Sequence, residues 1–569
     1  MKRCPECGRN YNDDSMSFCL DDGAELLFGP ASMDEPQTAI LSASSAAASS
    51  LAGVTEDTVS ETAVLQPRTT GAASDKSRRM TKPLVALAAA AVILACAFFG
   101  YKYFSPAKQI TSIAVMPFVN ESGNPDVEYL SDGMTETLIR SLSQLSSLQV
   151  KPRSSVFRYK GKETDAKIVG KELNVQGILN GRMSQRGDEV TLNLELIDAE
   201  RDIVLWSEQY VRKAADLASL QNEIAKDVST KLQSRLSGAE EAKLSKASTV
   251  DTEAYQAYLK GRYYWNRRTS ENIRKAIEQF KLAADRDPNY ALAFVGLAEC
   301  YVVLNEYAGV PLAETAKPAM MYAERAIAID GSLAEPHATL GAIHQGLWQW
   351  AEAEREFKRA IEINPRYPTT YHWYAIMLLW LGRTDEASAS IQRAHELDPL
   401  SSIINATVAW VQLGRGDYKE SIAIAQQLID LDPNFGIAYQ NLGLAYLRTG
   451  RSAEALASME KAAQLTDRWG QVLGNLGYAH AAAGRRTEAL AVIKELEDKY
   501  NRREGIGLYI AAVYAGLGDK EKAFEWLEKD FENHDPGLPD MTVSIPLSSL
   551  RDDKRFPDML KRMGLPETK

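Results

Sequence analysis

FGIAYQNLGLAYLRTGRSAEALASMEKAAQLTD occupies residues 435–467 and decides the fold of the C-terminal half of the chain. Apolar and small residues recur in it at helical spacing in two blocks, which are separated by Gly450. The blocks predict two short helices that cross where Gly443 and Ala455 meet. A larger side chain at either position would push the two helices apart.

The same pattern returns with a period of 34 residues. This spacing separates Pro365, Pro399 and Pro433, and likewise Gly382, Gly416, Gly450, Gly484 and Gly518. A 34-residue period with small residues at helix crossings is typical of tetratricopeptide repeats. About eight units fit residues 252–535, one of them with an insertion because Gly331 follows Pro288 by 43 residues instead of 34. The sequence therefore predicts an all-α solenoid there, with residues 536–569 capping its last helix.

The first helix of each unit is expected to line the inner face of the solenoid. The positions one turn apart that helix packing does not use are His372, Ile376, Leu379, Trp410, Leu413, Gln440, Leu444, Leu447 and Tyr478. An aliphatic and aromatic groove of this kind suits an extended peptide or an amphipathic helix as the partner. The groove lacks the row of Lys, Arg and Asn that would clamp a terminal carboxylate. The alternative is that these side chains belong to the core or are covered by the C-terminal segment.

Residues 109–240 predict an α/β domain. Branched apolar runs predict strands, and apolar residues three or four apart predict helices. The predicted elements are a strand in 109–120, a helix in 125–147, a strand in 148–157, a short helix in 166–174, three strands in 175–212 and a closing helix in 215–236. The whole chain is thus predicted to be multidomain, with α/β and all-α parts.

Three runs in this domain carry a family resemblance. IAVMPFVNESGNPDVEYLSDGMTETLIRSLS (113–143), VFRYKGK (156–162) and LNLELIDAERDIVLWSEQY (192–210) resemble the TolB amino-terminal-like domain of bacterial envelope and signalling proteins. The resemblance implies a domain without assigned catalytic residues, placed between a membrane helix and tetratricopeptide repeats. In that family a kinase, cyclase or transcriptional-activator module often stands in front, whereas this chain has neither a kinase nor a cyclase module there.

LVALAAAAVILACAFF, residues 84–99, contains no charged side chain. Extended to 83–104, the segment is long enough to cross the hydrocarbon core as a single helix. Lys and Arg are more frequent before it than after it, which places the N-terminus in the cytoplasm and the later domains outside. The expected location is therefore the inner membrane of a bacterium. The alternatives are a buried helix of a soluble core, or the inverted topology with cytoplasmic repeats.

CPECGRNYNDDSMSFCLDDG, residues 4–23, predicts a structural zinc ribbon over residues 1–28. Cys4, Cys7 and Cys19 supply three thiolates, and Asp22 stands where such ribbons carry a fourth cysteine. Asp21 or water are the alternatives for the fourth ligand, and a cysteine-bearing tail without metal is the alternative for the whole segment. Thiolate ligation requires reduced cysteines, in agreement with a cytoplasmic N-terminus.

Residues 29–82 are rich in Ala, Ser and Thr and poor in aromatic residues, so we expect a disordered tether. Thr38 and Thr62 begin two similar motifs, TAIL and TAVL, and are candidate phosphorylation sites. A chance repetition in a biased segment is the alternative.

The composition restricts the function classes. A net charge of −11 over 569 residues argues against a nucleic-acid binder. The sequence contains no glycine-rich phosphate loop, G-x-S-x-G or H-E-x-x-H motif, and the spacing of its six histidines gives no ligand set. We therefore expect a non-enzymatic membrane scaffold that binds a protein partner, takes no small-molecule substrate and passes extracytoplasmic binding to a cytoplasmic partner. A transcription-linked role for the zinc ribbon is the alternative.

Overall fold

The computed structural model describes residues 110–145, 147–232, 249 and 251–567, together with three two-residue strands near the N-terminus. These strands, β1 (Lys2–Arg3), β2 (Asn10–Tyr11) and β3 (Leu27–Phe28), form an antiparallel sheet in the order β2-β1-β3.

Several predicted features lie outside the described residues. They are the zinc ligands Cys4, Cys7, Cys19 and Asp22, the threonines Thr38 and Thr62, and the apolar segment 83–104. Within the described part of the chain, no helix combines the length and the apolar character that crossing a bilayer requires. That same part contains no group of three or more His, Cys, Asp or Glu side chains placed to hold a metal ion.

A small α/β domain follows. Its strands are β4 (Ser112–Val115), β5 (Val119–Asn120), β6 (Gln149–Val150), β7 (Gly177–Arg186), β8 (Glu189–Asp198) and β9 (Ile203–Lys213). They form one sheet in the order β6-β4-β7-β8-β9, and β5 also pairs with β7. The pairs β4–β6 and β4–β7 are parallel, and the pairs β7–β8 and β8–β9 are antiparallel. Strand β9 is therefore the edge strand on one side of the sheet.

Four α-helices belong to this domain: α1 (Glu128–Ser143), α2 (Arg153–Phe157), α3 (Ala166–Leu173) and α4 (Leu217–Lys231). Alternate side chains of β8, among them Leu192 and Leu194, are fully buried in the core that the sheet forms with these helices. The strand predicted for 148–157 is only two residues long, and the second half of that run is α2. Pro152 is the N-cap residue of α2, so the chain leaves the sheet there and starts a helix.

Residues 252–532 contain sixteen helices in eight consecutive pairs, a tetratricopeptide-type solenoid. They are α5 (Thr252–Trp265), α6 (Ser270–Arg286), α7 (Ala291–Ala308), α8 (Leu312–Ile329), α9 (Glu335–Gly346), α10 (Trp350–Ile363), α11 (Pro368–Trp380), α12 (Thr384–Leu397), α13 (Ser402–Arg415), α14 (Tyr418–Leu431), α15 (Gly436–Arg448), α16 (Ser452–Leu465), α17 (Gly470–Ala482), α18 (Arg486–Asn501), α19 (Gly507–Gly516) and α20 (Lys520–Glu532). The insertion inferred before Gly331 lengthens α7 and α8, which have 18 residues each.

Small residues let neighbouring helices approach closely, both within a pair and between consecutive pairs. A Cβ added to Gly296 on α7 would lie 2.6 Å from the ring of Phe280 on α6, and one added to Gly261 on α5 would lie 2.5 Å from the same ring. The periodic glycines have a second role: Gly382, Gly416, Gly450, Gly484 and Gly518 all have φ between 69° and 84°. Glycine adopts this left-handed conformation without steric cost, which allows the tight turn between the two helices of each pair.

The first helices of successive pairs contact each other, as α11 contacts α13 and α15 contacts α17. The second helices pack between consecutive first helices instead. The first helices therefore form the inner row of the solenoid, as the sequence pattern predicts for such repeats.

The α/β domain docks on the first half of the solenoid through a buried ion network. Glu136 on α1 receives hydrogen bonds from Arg262 and Asn266 of the first repeat, and Arg262 also donates to Glu299 at 2.6 Å. Burial alone would raise the pKa of Glu136, but the nearby Arg262 and Arg153 outweigh it and lower that pKa. Because each charge in the network has an opposite partner, its desolvation is offset and the two domains are held in a fixed relation.

More polar contacts reach later repeats. Asp398, at the end of α12, accepts hydrogen bonds from the hydroxyls of Ser154 and Ser155 on α2. Arg366, in the loop before α11, donates to the carbonyl oxygen of Leu148 at 2.8 Å. The domain thus packs α1 against α5 and also reaches the loops that join later helix pairs, over about half of the solenoid.

Candidate functional site

The inner face of repeats four to seven contains the nine residues that the sequence predicts as a partner groove. All nine lie on the first helices α11, α13, α15 and α17. Five are buried, namely His372, Leu379, Leu413, Gln440 and Leu444, and four are partly exposed, namely Ile376, Trp410, Leu447 and Tyr478. The face is therefore a largely filled surface with a few accessible apolar side chains, rather than an open groove.

Part of this burial comes from packing between neighbouring first helices. The imidazole of His372 lies 2.9 Å from the hydroxyl of Thr407 on α13, and burial lowers the pKa of His372 to about 4. The side chain of Leu379 packs against the backbone at Gly414, where an added Cβ would lie 3.1 Å away. His372 is thus a neutral packing residue at physiological pH.

The C-terminal segment of the chain accounts for the rest of the burial of the inner face. Residues Leu538–Thr542 form a 3₁₀ helix that contacts α11 and α20, and Ser548–Leu550 form another that contacts α19. The indole N–H of Trp380, at the end of α11, donates to the Asp540 carboxylate at 2.7 Å. The indole N–H of Trp350, at the start of α10, donates to the carbonyl oxygen of Met563 at 2.8 Å. The segment therefore joins the third and fourth repeats to the eighth.

The last helix of the chain, α21 (Arg555–Arg562), lies along α20. Arg555 donates two hydrogen bonds to Glu521, and seven residues later Arg562 donates two to Glu528. The equal spacing on both helices shows that they run side by side. The segment thus covers the apolar side of α20, which would otherwise lack a following repeat.

The free energy of apolar burial shows that residues 538–550 of the C-terminal segment are an integral part of the fold. Leu538, Met541, Leu547 and Leu550 are completely buried. Full burial of each such side chain is worth roughly 1.5–3 kcal/mol. Removing the segment from the inner face would therefore cost more free energy than the binding of most partner peptides provides. Trp410 and Tyr478, which stay partly exposed, are the accessible part of this surface.

A stacked aromatic pair joins the third repeat of the solenoid to the end of the eighth. The rings of Trp348 and His534 are 3.8 Å apart between centroids, and the ring of Phe531 lies 5.5 Å from Trp348. Trp348 occupies the turn position 34 residues before Gly382, where the later repeats have glycine. Both Trp348 and His534 have positive φ, 58° and 51°. This conformation is costly for a bulky residue and persists only where surrounding contacts enforce it.

Two buried carboxylates without a cation partner, Asp530 and Asp540, lie where the C-terminal segment meets the solenoid. Asp530, on α20, accepts hydrogen bonds from the backbone N–H groups of Gly507 and Leu508 at 2.7 and 2.6 Å, at the start of α19. Burial raises the pKa of Asp530, although these two donors act in the opposite direction. Burial likewise raises the pKa of Asp540 to about 6, despite the hydrogen bond from Trp380.

The sequence prediction did not include Trp348, Trp380, Asp540 or His534. One sequence signal pointed to the first of them, because Trp348 stands 34 residues before the first turn glycine, Gly382. No pattern pointed to Asp540, since the packing of the C-terminal segment follows no period.

Comparisons with known proteins match two parts of the chain. Residues 108–227 match the family model described as HilA/YgeH-like transcriptional regulator, second domain, and residues 409–469 match a tetratricopeptide repeat model. A Rhizobium meliloti (strain 1021) protein named "Putative adenylate cyclase 3" is 33% identical over 254 residues. That alignment covers 44% of this chain, which spans 42% of the length of the relative.

Solved structures with helical repeats are similar to smaller parts of the chain. PilF of Pseudomonas aeruginosa is 18% identical, with coverage of 38% of this chain and 94% of PilF and a TM-score of 0.31. A tetratricopeptide repeat protein of Parabacteroides merdae is 16% identical, with coverage of 48% and 99% and a TM-score of 0.35. TTC0263 of Thermus thermophilus is 20% identical, with coverage of 36% and 99% and a TM-score of 0.29.

A double-mutant cycle tests the aromatic closure. Glycine fits the positive φ of both positions, so Trp348→Gly and His534→Gly remove the stacked rings without adding backbone strain. We expect a coupling of about 0.5–1.5 kcal/mol in the free energy of unfolding of the full chain, measured with urea. Strictly additive single variants would show that the two rings do not stabilise each other.

The Asp540 carboxyl generates a pH dependence. Its pKa is higher in the folded chain than in the unfolded chain, so its contribution to stability is complete below pH 4 and is lost as the pH rises through about 6. Asp540→Asn keeps an oxygen acceptor for Trp380 but does not titrate. We expect the variant to lose about 1–3 kcal/mol less stability than the wild type between pH 4 and pH 7, measured by urea unfolding. Equal losses would contradict the assignment.

Proposed function

We propose that this protein is a non-enzymatic scaffold whose solenoid binds a protein partner. The observation that carries the proposal is that the inner row of helices already holds a polypeptide, residues 538–550, through apolar packing and an indole–carboxylate hydrogen bond. A surface that recognises one such segment has the chemistry to recognise another beside it. Partly exposed aromatic side chains dominate many protein-binding sites because they bury large areas at low entropic cost.

The partner site of this proposal is the exposed part of the inner face around Trp410 and Tyr478. These residues lie on α13 and α17, so an extended segment that bridges them would cross α15. Alternate side chains of such a segment would contact the two aromatic rings, as in other peptide-binding grooves.

Alanine variants test the partner site. We expect Trp410→Ala with Tyr478→Ala to abolish co-purification of the partner that the wild-type chain retains, because both aromatic contacts are removed. Met321→Ala is the control: Met321 is 53% exposed but lies on α8, a second helix outside the inner row. Partner recovery that the double variant leaves unchanged would contradict this site.

The proposal extends to the parts of the chain outside the described residues. A helix over 83–104 would anchor the protein in a bacterial inner membrane, with a TolB-like α/β domain and the solenoid on the extracytoplasmic side. Zinc bound by Cys4, Cys7, Cys19 and Asp22 would fold a cytoplasmic docking module, which would relay partner binding to a cytoplasmic protein. Thr38 and Thr62 in the tether would be its modification sites.

Membrane fractionation and zinc analysis of the full chain test this arrangement. We expect the protein to stay with the membrane after an alkaline wash, because about twenty apolar residues in a helix resist extraction. We also expect bound zinc that the Cys19→Ser variant loses. A protein released by the wash would contradict the anchor, and equal zinc contents would contradict the ribbon.

The match of residues 108–227 to a transcriptional-regulator domain favours a second candidate function, a transcription-linked regulator. The discriminating measurement is a DNA mobility shift with the full chain in detergent, for which the acidic net charge predicts no binding. The name of the Rhizobium meliloti relative suggests cyclase activity for that protein. We expect no cyclic AMP from this chain with ATP and Mg²⁺, and measurable product would overturn the non-enzymatic assignment.

A further inference from the structure

Exposed apolar side chains are concentrated at the start of strand β9. Ile203, Val204 and Leu205 are consecutive and 46%, 57% and 43% exposed. Single exposed apolar residues are ordinary on protein surfaces, but contiguous ones mark interaction sites. Successive side chains of a strand point to opposite faces, so Ile203 and Val204 expose apolar surface on both sides of this edge strand, which requires an explanation.

Packing within the described residues does not explain why these apolar side chains are exposed. Tyr210 is the only buried residue of β9, and its hydroxyl donates to Asp227 on α4 at 2.7 Å. The start of the strand extends beyond this cover. Strand β9 is also an edge of the sheet, and no described residue pairs with its outer side. Natural edge strands are commonly protected by charge or proline, and the start of β9 contains neither.

A fourth exposed apolar side chain lies on the helix that packs on the β8–β9 turn. Ile168, on α3, is 58% exposed. Helix α3 packs on the β8–β9 turn, since a Cβ added to Gly170 would lie 2.4 Å from the Cβ of Ala199. Lys167 and Lys171 are exposed on either side of Ile168.

The sheet register places this cluster at the edge where the chain enters the domain. Ile113 pairs with Gly177, Gly177 with Asp198, and Asp198 with Ile203, so these residues form one row across the sheet. Strands β4 and β9 run in the same direction, so both begin at this edge. The row spans three strand spacings, or about 15 Å, and Ile110 lies about 10 Å beyond it along β4.

The chain that precedes Ile110 limits how far this edge can stand from a membrane. The predicted span ends at residue 104, and six residues cover at most about 20 Å. The opposite end of β9 adjoins the solenoid, because Thr252 donates from its hydroxyl to the carbonyl oxygen of Ala215 at 2.7 Å. With the anchor of the proposed function, the start of β9 would lie on the membrane-proximal edge, whereas its end lies on the solenoid side.

We propose that Ile168 and residues 203–205 rest in the lipid interface of the membrane that holds residues 83–104. This inference depends on the anchor in the proposed function. The short connection keeps the cluster close to the bilayer, so even a shallow insertion is favourable at the high effective concentration that the anchor provides. Such a contact would orient the α/β domain, and with it the solenoid, relative to the membrane surface.

Photocrosslinking tests the contact with the full chain in vesicles of phosphatidylethanolamine and phosphatidylglycerol. A photoreactive amino acid replaces Val204 in one sample and Val211 in another. Val211 is the matched control, because it lies on the same strand and is 43% exposed but stands at the solenoid end. We expect lipid adducts at position 204 to exceed those at position 211 several-fold, as read by mass spectrometry.

Each other outcome overturns the proposal. Equal lipid labelling at both positions would show nonspecific access, and adducts from position 204 to a second copy of the chain would identify the edge as a dimer interface. An alkaline wash of the same vesicles distinguishes a failure of the lipid contact from a failure of the membrane anchor. Protein that is retained without lipid adducts contradicts the contact alone, whereas protein that is released contradicts the anchor as well.

Discussion

The closure of the solenoid by its own C-terminal segment is the constraint on which the accessible surface depends. A tetratricopeptide array is open at its ends and along its inner face, and each repeat contacts only its neighbours. Here Trp348 and Trp380 on the third and fourth repeats contact His534 and Asp540 near the eighth. These contacts fill most of the inner face and leave Trp410 and Tyr478 as its accessible aromatic side chains.

The backbone conformation of Trp348 and His534 shows that tertiary contacts there outweigh local strain. Trp348 replaces a turn glycine and still adopts a positive φ, as does His534. Such strain, of order 1–3 kcal/mol per residue, requires compensation by the surrounding structure. The stacked rings and the buried side chains of the C-terminal segment provide it. The eighth repeat is therefore held against the third, and the solenoid is a closed turn with a defined interior.

The α/β domain depends on a different kind of contact. Glu136, Arg262 and Glu299 form a buried charge network in which each ion has an opposite partner. Loss of Arg262 would leave the buried Glu299 without its cationic partner, so the network favours one docking geometry. That geometry directs the end of β9 towards the solenoid and the apolar start of β9 away from it. One chain thus combines a surface for polypeptide and a surface that we assign to lipid.

The repeats could be predicted from the sequence alone, because the 34-residue period of glycine and alanine reflects local helix crossings and tight turns. The sequence also indicated the strands and helices of the α/β domain, apart from residues 153–157, which form a helix after Pro152. Three features became visible only in the folded chain: the closed inner face, the hydrogen bond from Trp380 to Asp540, and the exposure of the start of β9. Periodicity reflects contacts between neighbouring elements, whereas the closure of the inner face joins residues up to 213 positions apart, from Trp350 to Met563. No local pattern specifies such pairings.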